Sequence, residues 1–250
     1  LASALEAAGS GAFLRITSLL DGDEQRLDAD SLAQWSNATA HFNGDTLIVE
    51  LVTGSNPSNS RVRIANVQAG VVPPMDKSQC GATDDRVAVQ DNRVARIVPV
   101  GCTGWMINND ANHQFLTAGH CPAGGSMTTL HFNVPLSTSG TVIVAPAVAD
   151  QYPIDSTSYQ SSNGGVGNDW CYFGAFPNSN TGLTAYQAYK TAFDVLLPPT
   201  STTGNQIRIT GFGVDTGTAS QTNQTHVGAL SAITASSLSY TTDTTGGNSG

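Results

Sequence analysis

Apolar and polar positions alternate in short runs over the first seventy residues. Phe13-Leu14-Arg15-Ile16-Thr17, Asp45 to Val52 and Arg61 to Val67 each read as a strand, separated by Asp-Gly, Asn-Gly and Asn-Pro-Ser-Asn breakers. They predict a small β-rich module over residues 1–73, a sandwich or half-barrel, with residues 1–9 as a frayed helix end or linker. Val71-Val72-Pro73-Pro74 opens a predicted linker that runs through residues 74–89. From residue 90 the apolar runs lengthen. Val94–Val100 and Cys102–Ile107 lead to a turn at Asn108-Asn109-Asp110, and Phe115–Ala118 returns to stop at Gly119-His120-Cys121. Thr141–Val144, Cys171–Phe176, Ile207–Thr210, Val227–Ile233 and Leu238–Tyr240 continue the series. Leu183–Phe193 alone carries a short helical pattern, and no fixed-period repeat is present. The predicted class is all-β.

Composition narrows the partners. Ten basic against nineteen acidic side chains leave a formal charge of −9 over 250 residues, which argues against a nucleic-acid or anionic-membrane surface. Charged residues make up 12% and glycines number 26, a balance suited to short strands and tight turns. No apolar run approaches the ~18 residues of a membrane span, and any targeting signal is expected outside these residues. The cysteines Cys80, Cys102, Cys121 and Cys171 form no CxxC pair. Their even number fits two disulfides and an oxidising compartment, against four free thiols in a cytosolic chain. The sequons at Asn37 and Asn223 add little in a chain so rich in Asn and Thr. The acidic stretch Asp21-Gly22-Asp23-Glu24, with Asp28 and Asp30, could hold calcium, but its spacing is no EF-hand loop and reads as a solvated turn. His41, His113, His131 and His226 lack metal-ligand spacing and read as surface or satisfied residues, so neither metal nor cofactor is expected.

Three short stretches carry candidate chemistry. Leu116-Thr117-Ala118-Gly119-His120-Cys121 ends an apolar strand on a histidine. Gly167-Asn168-Asp169-Trp170-Cys171 opens an apolar strand with a carboxylate. Asp243-Thr244-Thr245-Gly246-Gly247-Asn248-Ser249-Gly250 sets a serine in a glycine-rich turn. Acyl transfer needs this set. A serine hydroxyl becomes a nucleophile when an imidazole takes its proton. The imidazole needs a carboxylate on its other nitrogen, and unobstructed backbone amides must meet the developing oxyanion.

With Ile209-Thr210-Gly211-Phe212-Gly213 between the second and third motifs, residues 90–250 resemble a trypsin/chymotrypsin-fold serine endopeptidase. The resemblance implies two antiparallel six-stranded β-barrels, the second incomplete in this chain because the family continues for several strands after its serine. It implies a catalytic triad of His120, Asp169 and Ser249, separated by 49 and 80 residues, and an oxyanion hole at Gly247 and Ser249. It also implies a disulfide between Cys102 and Cys121 that pins the histidine loop, which leaves Cys80 and Cys171 as the second expected bridge. Asp243, six residues before Ser249, stands where Lys/Arg-selective members keep a pocket carboxylate. Asn248 departs from the digestive members, whose aspartate accepts a buried N-terminal ammonium; with the preceding Gly-Gly it is similar to bacterial glutamyl-endopeptidase-like members. The implied function is a secreted endopeptidase acting on protein or peptide substrates. The alternative is a non-catalytic binding or adhesion protein on the same scaffold. An α/β-hydrolase is excluded by motif order, since that fold runs Ser, Asp, His.

Overall fold

The computed structural model describes residues 11–53, 61–68, 77–108 and 114–250. The expected N-terminal helix end, the Pro73-Pro74 linker start, the Asn109-Asp110 turn and His113 lie outside them.

The N-terminal module is built on β1 (Phe13–Ser18), β2 (Glu24–Leu27), helix α1 (Ala29–Gln34) and β3 (Leu47–Val52), with the sheet order β2-β1-β3. Alternation in β1 turns Leu14 and Ile16 inward, where they meet Leu27, Leu32, Trp35 and Ala40. The acidic stretch is occupied by local structure. Asp28 caps α1 by accepting from the Ser31 amide at 2.8 Å, and Asp23 accepts at 2.6 Å from the amide of Val148, a residue from far along the chain that packs in this same core. The run 61–67, expected as a strand, forms none. Only Val62 packs on the module core, while Ile64 and Val67 stay exposed, so the alternation finds no surface to bury against.

The second part opens with β4 (Lys77–Ser78) and β5 (Val87–Ala88). It continues through β6 (Val94–Pro99), β7 (Cys102–Met106), β8 (Phe115–Thr117), the single-turn helix α2 (His120–Gly124) and β9 (Met127–His131). After them come β10 (Gln151–Asn163), β11 (Asp169–Ala175), helix α3 (Ala185–Tyr189), β12 (Gln206–Gly211), β13 (Gln224–Ile233), β14 (Leu238–Tyr240) and β15 (Thr244–Thr245). Strands β10-β11-β8-β7-β6-β9 close into a six-stranded antiparallel barrel around Ile97, Met106, Phe115, Leu130, Phe132, Tyr152 and Phe173. A second sheet runs β12-β13-β14, with β5 on β13, and β15 pairs with β4. Segment 77–88, expected as linker, therefore supplies two strands to this half of the molecule. Two barrel strands, β9 and β10, escaped the pattern. β10 is polar and contains Pro153, and it becomes a strand because β9 and β11 flank it and a register shift between Asp155 and Gln160 absorbs the mismatch. Conversely Thr141–Val144 reads as a strand but pairs with nothing among the described strands; the Val144 carbonyl instead accepts from buried Arg96 at 2.9 Å.

The module docks on the barrel through side-chain amides that imitate peptide groups. Gln151 accepts from the His41 amide and donates to the His41 carbonyl, both at 2.8 Å. Asn43 does the same to Ala145, at 2.8 and 3.0 Å. Beside these pairs, the His131 ring on β9 lies 3.1 Å from the Arg96 guanidinium and 3.3 Å from His41 Nδ1. Burial, helped by the Arg96 charge, lowers His41 to about 4 and takes His131 well below its ordinary value. An unfolded His41 takes up a proton near pH 6.5, whereas the folded one resists until about 4. Stability is thus complete above pH 6.5 and falls as the pH drops from there towards 4, by about 3 kcal/mol for His41 alone. Urea midpoints followed from neutral pH to about pH 4 should trace that decline, and His41→Gln should make it shallower while the part owed to His131 remains.

Candidate active site

His120 is the first residue of α2, and Asp169 is the first residue of β11. The chain reaches His120 through Gly119, whose α-carbon passes so close to β10 and β11 that a β-carbon there would sit 1.8 Å from the Ser162 carbonyl oxygen and 2.8 Å from that of Trp170. Only glycine allows the approach. It brings His120 against both oxygens of one carboxylate. The His120 amide donates to Asp169 Oδ1 at 2.8 Å, and His120 Nδ1 lies 2.7 Å from Asp169 Oδ2. Burial pushes the Asp169 carboxyl up, but the two His120 donors outweigh it and hold it below the ordinary carboxylate value. An ionised Asp169 accepts only, so in the neutral imidazole the proton sits on Nδ1 and the lone pair on Nε2. With the His120 side chain 46% exposed, that lone pair is open to a ligand.

Cys121, next to His120, is bonded to Cys102 at the start of β7, with the two α-carbons 6.3 Å apart. The expected first disulfide is present. The expected second one is not: Cys80 and Cys171 are both free. The alternation of β11 turns Cys171 into the closed barrel among Phe115 and Phe173, and burial raises its thiol to about 11. Cys80 lies instead on segment 77–88, its amide held by Asp243.

The serine loop follows β15. Thr103, the neighbour of Cys102, secures it twice: its amide donates to the Ser249 carbonyl at 2.8 Å, and its hydroxyl donates to the Gly247 carbonyl at 2.9 Å. The Ser249 carbonyl oxygen also lies 4.0 Å from Cys121 Sγ. Ser249 is thereby placed beside the neighbour of His120, although no hydrogen bond joins the two side chains. Gly247 holds φ +99°, a conformation that glycine adopts without strain, and a β-carbon there would come within 2.6 Å of the Phe212 carbonyl. Among the described residues, neither the Gly247 nor the Ser249 amide donates a hydrogen bond. Thr103 was invisible to motif reading. The one signal for it is its place directly after Cys102.

Asp243 stands just before β15. It is 1% exposed, and its two oxygens accept from the Cys80 amide at 2.7 Å and the Asp85 amide at 2.8 Å. Its own amide donates to His226 Nδ1 at 2.7 Å. The residue expected to select basic side chains is thus buried, with each of its oxygens accepting from one backbone amide of segment 77–88. Asp85, His226 and Asp243 bring one ligand atom each within 4.8 Å, while His226 Nδ1 accepts from the Asp243 amide. No helix among the described residues is long and apolar enough to cross a membrane.

No family model matches the chain, and no curated protein does. Among solved structures, a Glu endopeptidase determined in complex with MPD is similar at a TM-score of 0.51 and 22% identity, over 68% of this chain and 80% of that one. A thermostable serine protease from an extremophilic microorganism aligns at a TM-score of 0.41 and 13% identity, over 61% of this chain and 74% of that one. The first likeness, with the closed six-stranded barrel, establishes a chymotrypsin-like β-barrel fold.

Gly119→Ala is expected to lower stability by about 2–3 kcal/mol, since backbone on two strands must move. Gly124→Ala, with nothing within 4 Å, is the control and should leave the urea midpoint within about 0.5 kcal/mol of wild type. Equal midpoints for the two variants would contradict the close approach.

Proposed function

We propose that this chain is a serine endopeptidase in which Ser249 is the nucleophile, His120 the general base and Asp169 the residue that orients it. The observation that carries the reading is the two-point grip of Asp169 on His120, which presents Nε2 as a proton acceptor. Ser249 Oγ attacks the scissile carbonyl carbon as Nε2 takes its proton. The carbonyl oxygen becomes an oxyanion received by the unpaired amides of Gly247 and Ser249. The imidazolium then protonates the leaving amine, the C–N bond breaks, and an acyl ester remains on Ser249. Water, deprotonated by the same Nε2, releases the acid and restores the hydroxyl.

Protein or peptide substrates follow from this chemistry. The Cys102–Cys121 bridge supports an oxidising, extracellular setting. Asp243 is not proposed as the specificity determinant, because its oxygens are committed. Residues 1–73 are proposed as an accessory or pro-region module, held to the barrel by the Gln151 and Asn43 amide pairs.

A fluorophosphonate should label wild-type protein with one equivalent at Ser249, and Ser249→Ala should abolish the label. Asp169→Asn should fold normally yet react about 10³–10⁴-fold more slowly, because the carboxylate no longer fixes the Nδ1–H tautomer. Mass spectrometry of intact protein reads both results. A folded wild type that stays unlabelled would count against the peptidase reading and favour the binding-protein alternative.

A further inference from the structure

The front of the serine loop is gripped by a part of the chain that no motif singled out. Arg86 stands just before β5 with its side chain 2% exposed. Its guanidinium reaches four places. Nε and Nη2 bond Asp84, Nη2 reaches Asp215 Oδ2 at 3.0 Å, and Nη1 donates to Gln224 Oε1 at 3.1 Å and to Thr245 Oγ1 at 3.0 Å. Burial opposes its charge, but Asp84, Asp215 and Asp243 outweigh burial and keep it a cation. A planar fork with five donors can join these groups at once, whereas a lysine ammonium could not.

The geometry around Gly213 shows how close this cation comes to the serine. A β-carbon at Gly213 would lie 2.1 Å from Thr245 Oγ1, 2.5 Å from Arg86 Nη1 and 3.0 Å from Asn248 Nδ2. Three side chains thus converge over one bare α-carbon, and one of them belongs to the residue preceding Ser249. The same upstream segment also donates the Cys80 and Asp85 amides to Asp243 and pairs β4 with β15. Asn248 cannot receive an ammonium as an ion pair, yet a buried cation stands beside it.

We propose that Arg86 is a positioning residue for the nucleophile: acting through Thr245 and the packing over Gly213, it holds the 243–249 loop at the distance from His120 that proton transfer requires. This rests on the peptidase reading above. Arg86 bonds only to groups of its own chain, so its loss should move Ser249 relative to His120 without removing a substrate contact. The signature is a fall in kcat at nearly constant KM.

The test uses the full chain and the rate of fluorophosphonate labelling of wild type, Arg86→Ala, Thr245→Val and the double variant, each with its urea unfolding curve. Thr245→Val is nearly isosteric and leaves the ion cluster intact, so it carries the test alone should Arg86→Ala not fold. Labelling is expected to slow about 10-fold or more in each single variant that retains a cooperative unfolding transition. The double variant should be no slower than Arg86→Ala, because both changes cut one route. Millimolar guanidinium should restore part of the Arg86→Ala rate. On any peptide that the wild type cleaves, kcat should drop and KM should hold. Folded variants that label at the wild-type rate, or a double variant whose losses simply multiply, would overturn the positioning role while leaving the peptidase reading intact. A wild type that is never labelled removes the peptidase reading and this proposal with it.

Discussion

Two adjacent residues on β7 tie the histidine turn and the serine loop to one strand. Cys102 is covalently tied to Cys121, which fixes the turn that begins with His120. Thr103 binds the carbonyls of Gly247 and Ser249. Segments more than a hundred residues apart are therefore registered against one short strand of a closed barrel, whose hydrogen bonds leave it little freedom to shift. A rigid strand is a sound support for such a site, because proton transfer tolerates errors of only a fraction of an ångström.

The serine loop has a second support of a different chemical kind. Thr103 holds its far end through neutral hydrogen bonds, while its near end depends on buried charge. Asp243 accepts two amides from the segment before the first barrel, and Arg86 cross-links Thr245 to Asp84, Asp215 and Gln224. Buried charges cost free energy unless nearly every lone pair and proton is satisfied. Here they are, and the result is a joint that specifies geometry. The N-terminal module is attached on yet another principle: Gln151 and Asn43 reproduce peptide hydrogen bonds across the contact, next to histidines that burial keeps neutral.

Legibility in the sequence followed the range of the interaction. β1, β3, β6, β7, β8, β11, β12, β13 and β14 were readable because apolar side chains alternate or run together along them. The helix at Ala185–Tyr189 was readable from its short apolar pattern, and its Thr184–Gln187 capping box supports it. β10 was not readable, because Asp155-Ser156-Thr157-Ser158 is turn-like and becomes strand only between its neighbours. β4 and β5 were hidden for the same reason: two-residue strands exist only through their partners β15 and β13. The expected Cys80–Cys171 bridge failed because counting thiols says nothing about which face of β11 a cysteine occupies.

The sequence by itself determined the all-β class, the order of the candidate residues His120, Asp169 and Ser249 along the chain, and the glycine-rich setting of Ser249. Those properties reside in single residues or short spacings, so they survive without coordinates. Tertiary structure alone decided that Asp243 faces inward to two amides, that Thr103 is the clamp, and that an arginine from a supposed linker braces the serine loop. The physical reason is that a hydrogen bond or ion pair depends on where its partner is brought in space. For a polar side chain in a β-protein, that partner is usually supplied by a strand far away along the chain.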